Sequence, residues 1–286
     1  MSNSVQALLQ RSGELADSSP TPRLDLELLL CHVLGKERSY LFSWPEHQLS
    51  PEQYQQFETL LEQRKQGHPV AYLTGRRDFW NLELRVEPST LIPRPDTETL
   101  VEIALKLCDQ RPRKVLDLGT GTGAIALALA SERPGWIVTG CDRIAAAVAL
   151  AQSNAALHKL ERVSFILSNW FSALAGQKFD LIVSNPPYIV DNDPHLLTGD
   201  VRFEPTSALI SGPDGLEDIR HITQQAPQHL NDLGYLIMEH GYHQGAEVRS
   251  IVHSHGFINV TTVADLAGHE RVTFGQYRQA GQQDNV

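Results

Sequence analysis

Asn185-Pro186-Pro187-Tyr188 is a turn suited to accepting hydrogen bonds from something other than the chain itself. It follows the apolar run Phe179-Asp180-Leu181-Ile182-Val183-Ser184, which reads as a buried strand, so the four residues stand at a strand's carboxyl end. Two successive prolines remove two backbone donors and fix two φ angles. The stiff turn leaves its carbonyl oxygens free, and the Asn185 side chain adds an acceptor and two donors. A planar NH2 group would find two acceptors here and, in Tyr188, an aromatic wall.

A second constellation is Gly119-Thr120-Gly121-Thr122-Gly123, between the strand Val115-Leu116-Asp117-Leu118 and a helix opening at Ala124. Glycines there allow a tight turn and close approach of backbone to a ligand. A turn that merely needs glycine would look the same, and Gly119, Gly121 and Ala124 also fit the dinucleotide pattern G-x-G-x-x-A. Asp142 ends the next strand, 23 residues after Gly119 (142 − 119). A carboxylate there accepts both hydroxyls of an adenosine ribose, whether the ligand is NAD or S-adenosylmethionine; the plain alternative is a solvated strand-end acid. Asn169-Trp170-Phe171 follows the third strand. Trp170 either stacks on an adenine or anchors its loop, and Phe171 reads as core.

These residues need a frame at the ends of parallel strands, and the sequence supplies one. From about residue 96 strands alternate with helices, which predicts a largely parallel sheet covered on both faces, an α/β fold. Val115–Leu118, Ile137–Gly140, Val163–Leu167, Phe179–Ser184 and Tyr235–Met238 read as strands, with a final antiparallel pair near 257–263 and 271–277. Residues 1–75 read as a helical bundle: Thr21-Pro22 and Ser50-Pro51-Glu52-Gln53 are helix starts, and Gly35 is a stop. Residues 76–95 read as a hairpin or extended connector, with Phe79–Val86 alternating as a strand does. The segment from Asp191 to Arg220 is long for a connection in a compact domain, which points to a lid or binding loop.

Composition narrows the partners. The formal net charge is −10, divided as −3 over residues 1–75 (six Lys/Arg, nine Asp/Glu) and −7 over the rest. A duplex-binding surface is usually basic, so nucleic acid is the less favoured substrate. Three widely spaced cysteines fit reduced thiols in a cytoplasmic protein. No run of about 18 apolar residues spans a membrane, and the first residues lack a signal-peptide pattern. Twelve histidines include none at a trusted metal spacing, so no metal is expected.

Further segments carry a resemblance: Ile92-Pro93-Arg94-Pro95-Asp96-Thr97-Glu98, Val115 to Gly123, Ser184 to Ile189, Arg202-Phe203-Glu204-Pro205 and Asp214-Gly215-Leu216. With the order helical domain, hairpin and nucleotide-binding domain, the chain resembles the bacterial peptide chain release factor glutamine methyltransferases (HemK/PrmC type). The resemblance implies a class I S-adenosylmethionine-dependent methyltransferase domain at 96–286, a β-hairpin linker at 76–95 and a substrate-recognition domain at 1–75. It implies methylation of the amide nitrogen of the glutamine in the Gly-Gly-Gln motif of release factors. Cofactor contacts would come from Gly119, Thr120, Gly121, Thr122, Gly123, Asp142, Asn169, Trp170 and Asn185. Substrate contacts would come from Asn185, Pro186, Pro187 and Tyr188, with Asn185, Pro186 and Tyr188 carrying the chemistry. The expected partner is a release factor, without nucleic acid or membrane, and the expected enzyme is a cytoplasmic monomer. One position departs from the family, which commonly has Asp where this chain has Asn169. The rival is a DNA adenine or RNA guanine amino-methyltransferase, which also presents a planar NH2 group.

Overall fold

A computed structural model of the chain describes residues 3 to 279. The chain divides into two compact units, one formed by the residues up to Arg76 with Pro194–Phe203, the other by Arg77–Asp193 and the residues from Glu204 onward. The hairpin falls within the second of these units.

The first unit contains α1 (Val5–Leu9), α2 (Pro22–Leu34), α3 (Arg38–Ser43), α4 (Pro51–Lys65) and α5 (Val70–Thr74). Leu8, Leu26, Leu29, Leu30, Phe57 and Leu61 form its buried core. The start of α4 is a full capping box: Ser50 Oγ accepts from Gln53 N and Gln53 Oε1 accepts from Ser50 N. Gly35 ends α2 in the left-handed conformation. Thr21 does not cap α2 with its side chain, as the sequence suggested. Its hydroxyl donates to Asp25 Oδ1 at 3.2 Å, and Asp25 is held in turn by Arg64 Nε at 2.6 Å. The predicted lid contributes a stretch to this unit: Arg64 Nη1 donates to Asp200 Oδ1 at 3.0 Å, and the His68 and Phe203 rings lie 4.3 Å apart.

The second unit opens with a hairpin of β1 (Arg76–Phe79) and β2 (Leu82–Arg85). A hairpin is one of the two readings of this stretch; its turn falls at Trp80, inside the alternating run 79–86, where φ is +58°. The turn is held by Trp80 N donating to Glu98 Oε1 at 2.8 Å and Trp80 Nε1 donating to Glu132 Oε1 at 2.7 Å. Then follow α6 (Glu98–Leu107), β3 (Lys114–Leu118), α7 (Ala124–Glu132), β4 (Ile137–Asp142) and α8 (Ala145–Leu157). The remaining elements are β5 (Ser164–Leu167), β6 (Phe179–Ser184), α9 (Glu217–His229), β7 (Leu230–Glu239), α10 (Gly245–Ser254), β8 (Phe257–Ala264) and β9 (Glu270–Tyr277).

The sheet runs β5-β4-β3-β6-β7-β9-β8, with the first five strands parallel and β9 antiparallel to both neighbours. The predicted terminal antiparallel pair is present, with β9 inserted between β7 and β8. Alternate strand residues serve opposite faces, as the period of two requires. Val115, Leu181, Val183 and Ile237 join α6, α7 and α8 in one cluster, while Leu116, Ile182, Leu236 and Met238 join α9 and α10 in the other. Strand order reverses at β3, whose neighbours are β4 and β6. In open α/β sheets that switch point leaves a crevice at the carboxyl ends of the strands.

Candidate active site

Register decides what reaches that crevice. Leu118 pairs with Cys141 on one side and with Ser184 on the other. The next residue of each strand is therefore at the same level: Gly119, Asp142 and Asn185 stand together at the carboxyl edge of the sheet. They line one cleft with about 940 Å³ of empty space, its mouth included.

The floor is the loop from Gly119 to Gly123. Gly119 has a φ of +69°, and a Cβ there would meet the Trp170 ring at 3.4 Å, so the backbone and the indole are in close register. Thr120 Oγ1 donates to Asp117 Oδ2 at 2.6 Å, which ties the loop to its strand. Asp117 is fully buried with Oδ1 unpartnered, and desolvation raises its pKa to about 7. Asn154 clamps the loop from α8: its Nδ2 donates to the Thr122 carbonyl at 2.9 Å and to the Arg85 carbonyl at 3.0 Å, while Oδ1 accepts from Arg85 N at 2.8 Å.

Asp142 is half-buried at the rim of the cleft. Its Oδ2 accepts from Gly121 N at 3.0 Å and its Oδ1 from Ile144 N at 2.9 Å. Two backbone donors fix the carboxylate, and each oxygen keeps a lone pair for a diol. Trp170 is half-buried with a φ of +50°, its carbonyl accepting from Ser168 Oγ at 2.7 Å. Asn169 also lines the cleft and is exposed.

The opposite wall comes from the Asn185 turn and the connector before α6. Asn185 and Pro187 line the cleft together with Thr90, Leu91, Pro93, Arg94 and Thr97. Asn185 Nδ2 donates to the buried Thr97 Oγ1 at 3.1 Å. The buried Glu204 accepts from Ile92 N at 3.1 Å and from Arg94, so it pins the connector. Beyond the turn, Tyr188 N and Ile189 N both donate to the Leu209 carbonyl, at 3.2 and 2.9 Å.

Nine of the candidate residues thus meet in one cleft: Gly119, Thr120, Gly121, Thr122, Asp142, Asn169, Trp170, Asn185 and Pro187. Three do not line it. Gly123 is the N-cap of α7, Pro186 is buried, and Tyr188 packs against the core with its hydroxyl donating to Glu239 Oε1 at 3.2 Å. Burial beside Glu239 raises the Tyr188 pKa, so the phenol stays protonated. Sequence reasoning missed Asn154, although an Asn among Ala147, Val148, Ala151 and Ala155 on a buried helix face is a signal. It also missed Glu239, whose place directly after the apolar strand Tyr235–Met238 is the same strand-end signal that Asp142 carries.

Among the described residues no group of three or more His, Cys, Asp or Glu side chains is placed to hold a metal, and no helix is long and apolar enough to cross a membrane.

Comparison with known proteins adds to this geometry. The family profile described as the PrmC N-terminal domain matches residues 6–75, and that of the methyltransferase small domain matches residues 96–201. A release factor glutamine methyltransferase of Vibrio cholerae is 53% identical over 281 residues, covering 97% of this chain and 98% of that protein. One of Pseudomonas aeruginosa is 55% identical over 269 residues, 94% of this chain and 97% of that protein. Among solved structures, a methyltransferase from Pyrococcus furiosus shares the fold at a TM-score of 0.53 and 16% identity, over 70% of this chain and 91% of that one.

Proposed function

The chain belongs to the release factor glutamine methyltransferase family, and on that premise we propose how its cleft methylates the side-chain amide (N5) of a release factor's Gly-Gly-Gln glutamine. The cofactor is S-adenosylmethionine. One observation carries the reading: Asn185 has its NH2 group committed to a buried hydroxyl at the edge of the cleft that Gly119 and Asp142 also line. Its oxygen is thereby the atom left for a ligand.

The residues present fit the cofactor. Asp142 holds two acceptor oxygens in a fixed orientation, suited to the ribose hydroxyls. Gly119 and Gly121 let the loop backbone approach a ligand closely, Trp170 offers an indole face, and Asn169 offers an amide to the adenine. S-adenosylmethionine supplies a methyl group made strongly electrophilic by its sulfonium.

A glutamine amide nitrogen is a poor nucleophile because its lone pair is delocalised into the carbonyl. Asn185 Oδ1 accepts one amide N–H bond and the backbone carbonyl of Pro186, whose ring is buried behind the cleft wall, accepts the other, so that the nitrogen is aimed into the cleft. Acceptors on both hydrogens favour pyramidal nitrogen as the new bond forms. Reacting atoms held ~3–3.5 Å apart gain the orientation advantage of an intramolecular reaction. Pro187 fills the wall beside them and excludes water, and Tyr188 anchors the end of the turn. No general base is demanded, since the alkylated amide nitrogen is acidic and loses its proton afterwards.

Residues 1–75 are the substrate-recognition domain, the hairpin at 76–95 connects, and 96–286 carry the transfer. We read the enzyme as a cytoplasmic monomer acting on protein without a nucleic-acid partner. The net charge of −10 supports a protein over a nucleic-acid substrate.

The test is labelled methyl transfer to a purified release factor, beside a variant with the Gly-Gly-Gln glutamine replaced. Label is expected in the first alone. Equal labelling of both would exclude that glutamine, and labelling of DNA or RNA instead would favour an amino-methyltransferase of nucleic acid.

A further inference from the structure

Ser184 pairs with Met238 in the parallel ladder of β6 and β7, so the next residues, Asn185 and Glu239, stand level at the strands' carboxyl ends. Glu239 is 1% exposed, an unusual place for a carboxylate unless it is bonded. Its Oε1 accepts from the Tyr188 hydroxyl at 3.2 Å, while Oε2 has no direct partner among the described residues. Thr97, also buried, favours the ionised form of the same carboxyl, with no direct hydrogen bond between the two. The Thr97 oxygen receives Asn185 Nδ2 at 3.1 Å.

We propose that Glu239 is a positioning residue for methyl transfer, bonding the far end of the Asn185–Tyr188 turn through the Tyr188 hydroxyl and drawing the hydrogen of the Thr97 hydroxyl at its near end toward the carboxyl. The inference rests on the reading of Asn185 as the amide acceptor. Its logic is one of hydrogen-bond direction. A hydroxyl whose hydrogen is drawn toward a carboxylate offers its lone pairs to others, so Thr97 accepts from Asn185 and does not compete as a donor to its oxygen. That fixes the amide with Nδ2 toward Thr97 and Oδ1 toward the cleft, an orientation that an amide alone does not choose. The same carboxyl fixes the phenol three residues further on. A surface glutamate could not do this, because water would supply alternative partners to every group.

Other charged groups face the pair. Arg271 on β9 attracts the ionised carboxyl, and Asp96 beside Thr97 opposes it. Arg271 is itself bridged to Asp265 at 3.2 Å and to Asp96 at 3.6 Å, and Arg94 acts on Tyr188. Burial raises the Glu239 pKa to about 7. Protonated Glu239 no longer enforces the direction of the Thr97 hydroxyl, so turnover should rise as pH increases through that range.

The experiment measures steady-state methylation of a release factor by the full chain and by Glu239→Gln, with cofactor affinity by calorimetry and folding by thermal unfolding. Expected is a fall in kcat of roughly 10- to 100-fold, with KM and cofactor Kd within about threefold, and loss of the rising pH limb near 7. Thr97→Val should fall alike, while Thr97→Ser, which keeps the hydroxyl, recovers most of the rate. Unchanged kcat in folded Glu239→Gln, or a loss seen equally in cofactor Kd, overturns the proposal. If Glu239→Gln does not fold, the Thr97 pair decides: equal rates in the valine and serine variants overturn it. A wild-type chain that leaves the glutamine unmethylated overturns the underlying reading as well, which separates the two failures.

Discussion

Gly215 lies directly against Tyr188: a Cβ added to it would stand 2.3 Å from the Tyr188 carbonyl oxygen and 2.7 Å from Gln244 Nε2. That carbonyl accepts from Gln244 Nε2 at 3.1 Å, so glycine makes room for the bond that secures the far end of the turn. Gly215 also has a φ of +71°, which an L side chain rarely adopts. Gly215→Ala should lower stability by about 1–3 kcal/mol through strain and lower turnover by roughly 10- to 100-fold by moving the turn. Denaturant unfolding and methylation kinetics on the same preparation check both.

Asn185→Ala removes the side-chain acceptor and leaves Thr97 without its donor. Turnover should drop by about 10²–10³-fold, as for loss of one preorganised polar contact. Cofactor affinity, set mainly at the other wall, should change little. Calorimetric titration with S-adenosylmethionine and a single-turnover assay separate the effects; near-normal turnover would sink the role given to Asn185.

Asp142→Ala should act on the opposite side. It removes the acceptors for the ribose and frees the N–H groups of Gly121 and Ile144. A loss of about 1.5–3 kcal/mol in cofactor binding is expected, or roughly ten- to hundredfold in Kd. Asp142→Asn keeps one oxygen and should lose less. An alanine variant that binds the cofactor as tightly as the parent would remove Asp142 from the site.

Two buried carboxyls set a pH dependence of stability. Burial raises Asp117 from 3.8 and Glu239 from 4.5 to about 7 each. The folded state therefore binds more protons than the unfolded state between about pH 4 and 7, and their contribution to stability falls as pH rises through that window. Asp117→Asn should flatten the slope, so that the variant compares better with the parent at pH 8 than at pH 5. Urea unfolding at the two pH values is the measurement, and a steeper slope in the variant would contradict the assignment.

In the helical unit, Arg64 and Asp25 form an ion pair whose side chains are only 3% and 8% exposed. Arg64 also bonds the carbonyls of Gly67 and His68 and reaches Asp200. Arg64→Ala strands a buried carboxylate and should destabilise the protein by about 3–5 kcal/mol. Chemical denaturation measures this; a change below about 1 kcal/mol would show that the pair is solvated.

Much of the fold was legible because its signals are local. The capping box at Ser50, the stop at Gly35 and the apolar strands before Gly119 and Asn185 are each contained in a few residues. Where reading failed, a distant partner had decided. Thr21 lies at a helix start, but Asp25, oriented by Arg64, takes its hydroxyl. The hairpin at 76–85 is among the readings of the sequence, but the place of its turn, at Trp80 inside the alternating run, is held by the distant Glu98 and Glu132.

The candidate site divides in the same way. The sequence alone determined the chemical types: a proline-stiffened acceptor turn, a glycine loop and a strand-end carboxylate, each ending a strand. Their meeting is a property of register, since Leu118 lies between Cys141 and Ser184 and delivers Gly119, Asp142 and Asn185 to one edge. Only the tertiary structure decided which way the Asn185 amide faces, because that depends on Thr97 and Glu239, 88 and 54 residues away in the chain (185 − 97 and 239 − 185). Hydrogen-bond direction is set by whatever partners burial leaves, and no spacing along the chain encodes them.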